Sequence, residues 1–212
     1  MINPIDSLRK VERNVLVLGL SSSFSTFGNT LWFFFFPLIL ESQGANVGQV
    51  GVVYGLSFLT AAILQIPAGA FADKFGRKKA VVIGSITPAL TVSVIAFSSN
   101  LFLSSGAYIA FSAIGGTFFS IGRSALITES VAEEKLATSF GTFTTMAGWL
   151  SMFAPLLGGL YLDNNLRAIL IVSVLLYSGV ATVRALFLKE TLLGIPGESS
   201  ERREQRVSVE NQ

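Results

Sequence analysis

Residues 69–79 read Gly69-Ala70-Phe71-Ala72-Asp73-Lys74-Phe75-Gly76-Arg77-Lys78-Lys79, with uncharged apolar stretches on both sides, at 42–72 and 80–122. Further uncharged stretches cover 14–40, 136–162 and 168–183. Crossing ~30 Å of hydrocarbon takes about 20 apolar residues. The stretch 80–122 is too long for one crossing, and Ser98-Ser99-Asn100 supplies the polar turn that divides it. The expected spans are therefore 15–40, 47–71, 80–97, 101–122, 138–162 and 168–187.

Composition agrees. With 51% hydrophobic and 13% charged residues, against about 25% charged in a typical soluble domain, the chain has too little polar surface for water. Helices are expected over a barrel, because barrel strands alternate apolar and polar residues, whereas Trp32-Phe33-Phe34-Phe35-Phe36 is apolar on every side. The first apolar stretch also exceeds the 7 to 15 residues of a secretory leader's core and lacks a convincing small-residue cleavage site.

Orientation follows from the excess of Lys and Arg on cytoplasmic loops. The N-terminal tail carries Arg9, Lys10 and Arg13, and the second loop carries Lys74, Arg77, Lys78 and Lys79. Arg123 and Lys135 flank the fourth-to-fifth connection, and Arg184, Lys189, Arg202, Arg203 and Arg206 lie at the C-terminal end. The opposite side holds Glu41, Asp163 and Arg167, so fourteen of the fifteen basic residues share one side. Both termini are expected in the cytoplasm. Nucleic acid is not an expected partner, because the basic residues are spread over membrane-proximal loops and form no single basic and aromatic face.

Absent residue types narrow the chemistry. There is no Cys and no His, which removes thiolate nucleophiles, the near-neutral proton shuttle and the commonest metal ligand. A six-span serine protease needs a Ser–His pair, and a nucleotide-driven pump needs a phosphate-cradling GxxxxGK[ST] loop; neither is here. No catalytic residue, metal or cofactor is expected.

The order Gly-x-x-x-Asp-basic-x-Gly-basic-basic-basic, between two apolar spans, resembles the signature loop of the major facilitator superfamily. Gly69, Asp73, Lys74, Gly76, Arg77, Lys78 and Lys79 fill all of its positions. Bare Lys and Arg would satisfy the positive-inside rule, which requires neither an Asp nor two glycines at fixed offsets. Gly69 would let a neighbouring helix come close, and Gly76 would permit a tight reversal. Asp73 would face the positive end of another helix, and Arg77 would hold a carboxylate across the cytoplasmic face. Arg123-Ser-Ala-Leu-Ile-Thr-Glu129 is similar to the family's connection after the fourth span, adding Arg123 and Glu129 to that gating network, and Lys189-Glu190-Thr191 is similar to its Pro-Glu-Thr ending. Span five matches the glycine-rich stretch of the family's antiporters at Gly141, Pro155, Gly158 and Gly159, but has Leu150 and Ala154 where two further glycines belong.

The resemblance implies an all-α membrane fold: six helices at 15–190 forming one 3+3 inverted-repeat half of a transporter, with substrate held between two halves near the midplane. Residues 1–14 are the expected cytoplasmic tail. Residues 191–212 have the low aromatic and high charge content of a disordered linker. A second six-helix half or a homodimer is the expected partner, beside the bilayer and a small-molecule substrate. The first and fourth spans would line the path, and Asn29, Gln65 and Tyr108 are the candidate ligand contacts; Ser and Thr commonly bond within their own helix. No Asp or Glu lies deep in a span, and an interior without charge favours a neutral or lipophilic substrate. The expected activity is secondary transport, such as multidrug efflux, in the cell membrane. The competing reading is a non-transporting subunit or a remnant half.

Overall fold

The computed structural model describes residues 13–192, and at 161–165 the backbone alone. The tail expected at 1–14 and the linker expected at 191–212 therefore fall, apart from two residues each, outside the described residues. Six helical spans cross the bundle: Arg13–Ser42, Val47–Phe75, Arg77–Phe97, Leu101–Ser130, Glu133–Leu160 and Leu166–Phe187. Each coincides with an expected span. No strand occurs among the described residues.

Local chemistry sets the interruptions. Pro37 cannot supply a backbone N–H, and the first span breaks into helices Arg13–Phe33 and Phe36–Ser42 around it. Asn46 opens the second span by accepting a bond from the Gln49 amide, while Gln49 accepts one in return from the Asn46 amide, a capping box. Asn100 accepts from the amides of Phe102 and Leu103 and opens the fourth span at the expected turn. That span carries a π-helical turn at Tyr108–Ser112, a feature frequent at functional sites. In span five, helix Leu136–Gly148 tightens to a 3₁₀ turn at Trp149–Phe153, and Pro155 starts the next helix, where its missing donor costs nothing.

One boundary carries no break: the expected spans five and six leave 163–167 between them, and helix Ala154–Phe187 continues through that gap. Its contacts nonetheless establish a reversal. Span five ascends beside span one, with Ser23 bonded to the Met146 carbonyl and Gly158 against Leu31 and Phe35; the sixth then descends, with Ser173 on the Gly28 carbonyl and Arg184 on Ser21 and Ser22.

Spans three and four pack closest, because Gly84, Gly115 and Gly122 remove side chains from their contact. A Cβ at Gly84 would lie 2.7 Å from Phe119 Cα, and one at Gly122 would lie 2.9 Å from the Arg77 carbonyl oxygen. Small residues that admit a neighbouring backbone are the main source of helix association in lipid, which offers no hydrophobic gain. Among the described residues nothing comes within 4 Å of a Cβ built at Gly69. Two cores fill the bundle. At the basic end Val15, Leu18, Val81, Leu126, Ile127, Phe143 and Leu188 are buried together. At the opposite end Trp32, Phe36, Tyr54 and Tyr108 form an aromatic cluster, with Phe36 stacked on Tyr108 at 4.4 Å. The phenylalanine run divides accordingly: Phe36 is buried and Phe34 faces outward.

Candidate functional site

At the basic end, the loop quoted first becomes a charge network. Helix Val47–Phe75 stops at Gly76, whose φ of +114° is a conformation that side chains rarely adopt. The next helix begins at once with Arg77. The Arg77 guanidinium donates to Asp73 at 2.9 Å, to Glu129 at 3.0 Å and to the Ala72 carbonyl at 2.7 Å. Thr191 Oγ1 donates to the other oxygen of Glu129 at 2.5 Å. Arg77 thus joins the ends of spans two, three and four, and Glu129 extends the junction to the segment after span six.

Among the described residues the acid at a helix N-terminus is Glu190. The Arg77 amide donates to it at 2.9 Å and the Lys78 amide at 3.2 Å. A carboxylate there takes up unpaired N–H groups and faces the positive end of the helix dipole. It also explains Gly76 further, since a Cβ at 76 would fall 2.9 Å from the Glu190 carboxyl carbon. The Asp73 side chain remains 72% exposed and, among the described residues, pairs only with Arg77. Lys74 and Lys79 are exposed around the network, Lys74 lying 5.4 Å from the Phe75 ring. Arg123, expected in the network, stands apart from it. Its guanidinium lies between the rings of Phe143, at 4.8 Å, and Phe119, at 5.7 Å, and its Nε is buried with no bonding partner among the described residues.

Deeper in the bundle, a cavity of about 280 Å³ opens between spans one, three, four and six. Ser25, Thr26, Asn29 and Ser112 give it polar groups; Trp32, Phe119 and Tyr177 give it aromatic walls, and Arg184 closes one end. Tyr177 donates to Asn29 Oδ1 at 3.2 Å, which orients the amide. Of the three expected ligand contacts only Asn29 lines this cavity. Tyr108 is buried in the aromatic cluster, and Gln65 is exposed on the outer surface of span two.

Arg184 is the residue that sequence reading misplaced. Counted with the cytoplasmic charges of the C-terminal end, it is 1% exposed inside the bundle. Its Nε donates to Ser21 at 2.9 Å, and its terminal nitrogens donate to Ser85 at 2.8 Å and Ser22 at 2.7 Å. The Phe119 ring lies 4.3 Å from the guanidinium carbon, within cation–π range. A helical side chain leans toward its helix's N-terminus, and span six ends at the basic face. The guanidinium is therefore carried inward, to the level of Ser85, eight residues and about 12 Å past Arg77. A signal existed: Ala185-Leu186-Phe187-Leu188 separates Arg184 from the true end charge, Lys189.

The Major Facilitator Superfamily description matches residues 18–210. The chain belongs to that superfamily. It is a multi-pass membrane protein of a transporter family. The multi-drug resistance efflux pump PmrA of Streptococcus pneumoniae serotype 4 is 28% identical over 177 residues, which are 78% of this chain and 42% of the pump. Multidrug resistance protein MdtG of Serratia proteamaculans is 27% identical over 195 residues, 88% of this chain and 46% of that protein. Two solved structures share the fold. The human organic anion transporter MFSD10 (TETRAN) superposes with a TM-score of 0.64 at 19% identity, over 84% of this chain and 48% of its own. The peptide transporter POT in complex with sulfate superposes with a TM-score of 0.69 at 13% identity, over 94% and 44%. The chain thus spans less than half the length of each of these proteins.

Proposed function

We propose that these six spans form one half of a secondary transporter that exports a small lipophilic molecule across the cell membrane by alternating access. The observation that carries this reading is the cavity. It combines aromatic walls with oriented polar groups well inside the spans, and Asn29 both lines it and is exposed. Tyr177 bonds only the Asn29 oxygen, and an amide N–H group facing hydrocarbon without a partner costs several kcal/mol, so this side of the bundle calls for a facing wall. A second six-helix half, continuous with this chain or supplied by another chain or copy, would provide that wall. The Arg77 network then lies at the mouth of the path on the basic face, where breaking and remaking charge-assisted bonds can bias which side is open. PmrA is named a multi-drug resistance efflux pump and MdtG a multidrug resistance protein, which supports efflux as the direction and drugs as the class.

The chain by itself is expected to associate and not to transport. The test pairs mass measurement of the purified protein in nanodiscs with dye efflux from vesicles containing it. A stable monomer that moves dye would refute the half-transporter reading. An inactive monomer with no tendency to associate would favour a non-transporting membrane subunit.

Both termini are expected in the cytoplasm, because fourteen of the fifteen basic residues then obey the positive-inside rule. The native chain has no cysteine, so single cysteines at positions 8 and 205 report cleanly. An impermeant maleimide should label neither in intact cells and both after permeabilisation. Labelling in intact cells would invert the topology.

A further inference from the structure

We propose that Arg184 is an anion subsite at the inner end of the cavity, and that it takes the carboxylate of an aromatic, lipophilic monoanion. The proposal refines the substrate class of the transporter reading and rests on that reading for its physiological role. A cation held inside a membrane bundle is costly, and such residues are normally paired or lead toward water. A merely topogenic Arg near a helix end would extend its stem to the interface. Arg184 instead turns into the bundle and is 99% removed from solvent by its neighbours' packing, being 1% exposed.

Its partners solvate the charge without neutralising it. Ser21 and Ser85 spend their own protons on the carbonyls of Leu18 and Val81, at 3.2 and 2.6 Å, which leaves their lone pairs to accept from Arg184. A guanidinium has five N–H donors, and Ser21, Ser22 and Ser85 each take one; the rest have no protein partner among the described residues. No carboxylate forms an ion pair with it there. Glu129 and Asp73 are held by Arg77, and Glu190 by the helix N-terminus below it. Arg123 adds a second positive charge to the same aromatic ring, Phe119. The site is thus positive and short of an acid, and it opens on the cavity whose end Arg184 forms.

The rest of the cavity defines the ligand's other end. Trp32 lies ten residues beyond Ser22 on the first span, about 15 Å along a helix. Asn29, Ser25 and Thr26 lie between them, and Tyr177 faces them. A carboxylate on Arg184 can accept two parallel N–H bonds, the geometry in which Arg excels, while an aromatic body lies toward Trp32. The expectation of a neutral substrate rested on an interior without charge, and Arg184 removes that premise.

The test is direct binding. Trp149→Phe leaves Trp32 as the only tryptophan, in the cavity wall, and its quenching reports 4-nitrobenzoate and the neutral isostere 4-nitrobenzamide. With the full chain in nanodiscs, the acid is expected to bind about tenfold or more tightly than the amide, the scale of a charge-assisted bond. Arg184→Gln should reduce that ratio to about one. Gly116→Phe places a ring in the cavity from a position with nothing within 4 Å of its Cβ, and should remove binding of both probes while Arg184 keeps its serines. Should Arg184→Gln fail to fold, the acid-to-amide ratio of the unmodified site and the Gly116→Phe result still decide. Equal affinity for acid and amide would overturn the subsite, as it would if a partner's carboxylate already filled it; so would an acid preference that survives Arg184→Gln, or acid binding that survives Gly116→Phe. The two readings fail separately: acid-selective binding without efflux removes transport alone, and efflux of a neutral dye with no acid preference removes the subsite alone.

Discussion

Gly84→Leu is expected to yield no monodisperse protein on detergent extraction, whereas Gly179→Leu should behave as the parent chain does. The difference lies in what each new side chain meets. At Gly179 nothing lies within 4 Å of a Cβ. At Gly84 the obstacle is backbone, with Phe119 Cα 2.7 Å away, so no rotamer change relieves it and span four must move off span three. That movement also opens the contacts beneath Gly122 and Gly115, where a Cβ would meet the Arg77 carbonyl at 2.9 Å and Thr87 Oγ1 at 2.5 Å. Overpacking a core with a few methylenes costs about 1–3 kcal/mol when side chains can shift. A backbone obstruction leaves less room to relax, and the loss approaches the roughly 5–15 kcal/mol that holds a typical domain together. Phe119 would be displaced as well, and with it the ring shared by Arg123 and Arg184. Size-exclusion chromatography of both variants checks this; a monodisperse Gly84→Leu of parental stability would contradict the packing described.

The spans were legible in sequence because hydrocarbon thickness acts on each helix separately. An uncharged stretch announces itself whatever lies beside it, and the turn at Ser98-Ser99-Asn100 could be placed without knowing any neighbour. The boundary between spans five and six was less exact, because the uncharged stretches leave 163–167 between two spans while the backbone stays helical through it. Side-chain partners were harder still. Arg77 was expected to reach a carboxylate across the face and does reach Glu129, since the loop's spacing fixes where its guanidinium starts. Which acid caps the third span was not decided by that spacing, because Glu190 arrives from 113 residues on. Burial of Arg184 depends on serines from two other spans and a ring from a third, information that no local pattern holds. Gln65, Tyr108 and Asn29 looked alike as polar groups in apolar spans. Only helix rotation separates the exposed one, the one in an aromatic cluster and the one in the cavity wall.

Arg77→Ala is expected to lower the stability of the purified chain by about 1.5–3 kcal/mol, the scale of a hydrogen bond to a charged group, while Asp73→Asn costs less than about 1 kcal/mol. The ranking follows from exposure. The Asp73 side chain is 72% exposed and bonds within its own turn, the setting in which ion pairs contribute about 0–1 kcal/mol. The Arg77 side chain is 13% exposed and also holds the Ala72 carbonyl and Glu129, whose side chain is 29% exposed. Its removal leaves these acceptors short of a donor and loosens spans two, three and four at once. On the proposed half-transporter reading the same bonds lie where one face opens and closes, and a shift of about 1.4 kcal/mol is tenfold in the balance of states. Arg77→Ala should therefore change the relative accessibility of the two faces by roughly ten- to a hundredfold without impairing membrane insertion. Asp73→Asn should match it only if the outward surface of Asp73 meets the second half. Thermal unfolding of both variants of the chain, together with cysteine accessibility on each face of the assembled protein, separates these cases. Equal and small effects in both measurements would leave the basic loop with orientation as its sole role. A large Asp73→Asn effect confined to the assembled protein would locate the facing half against the exposed side of Asp73.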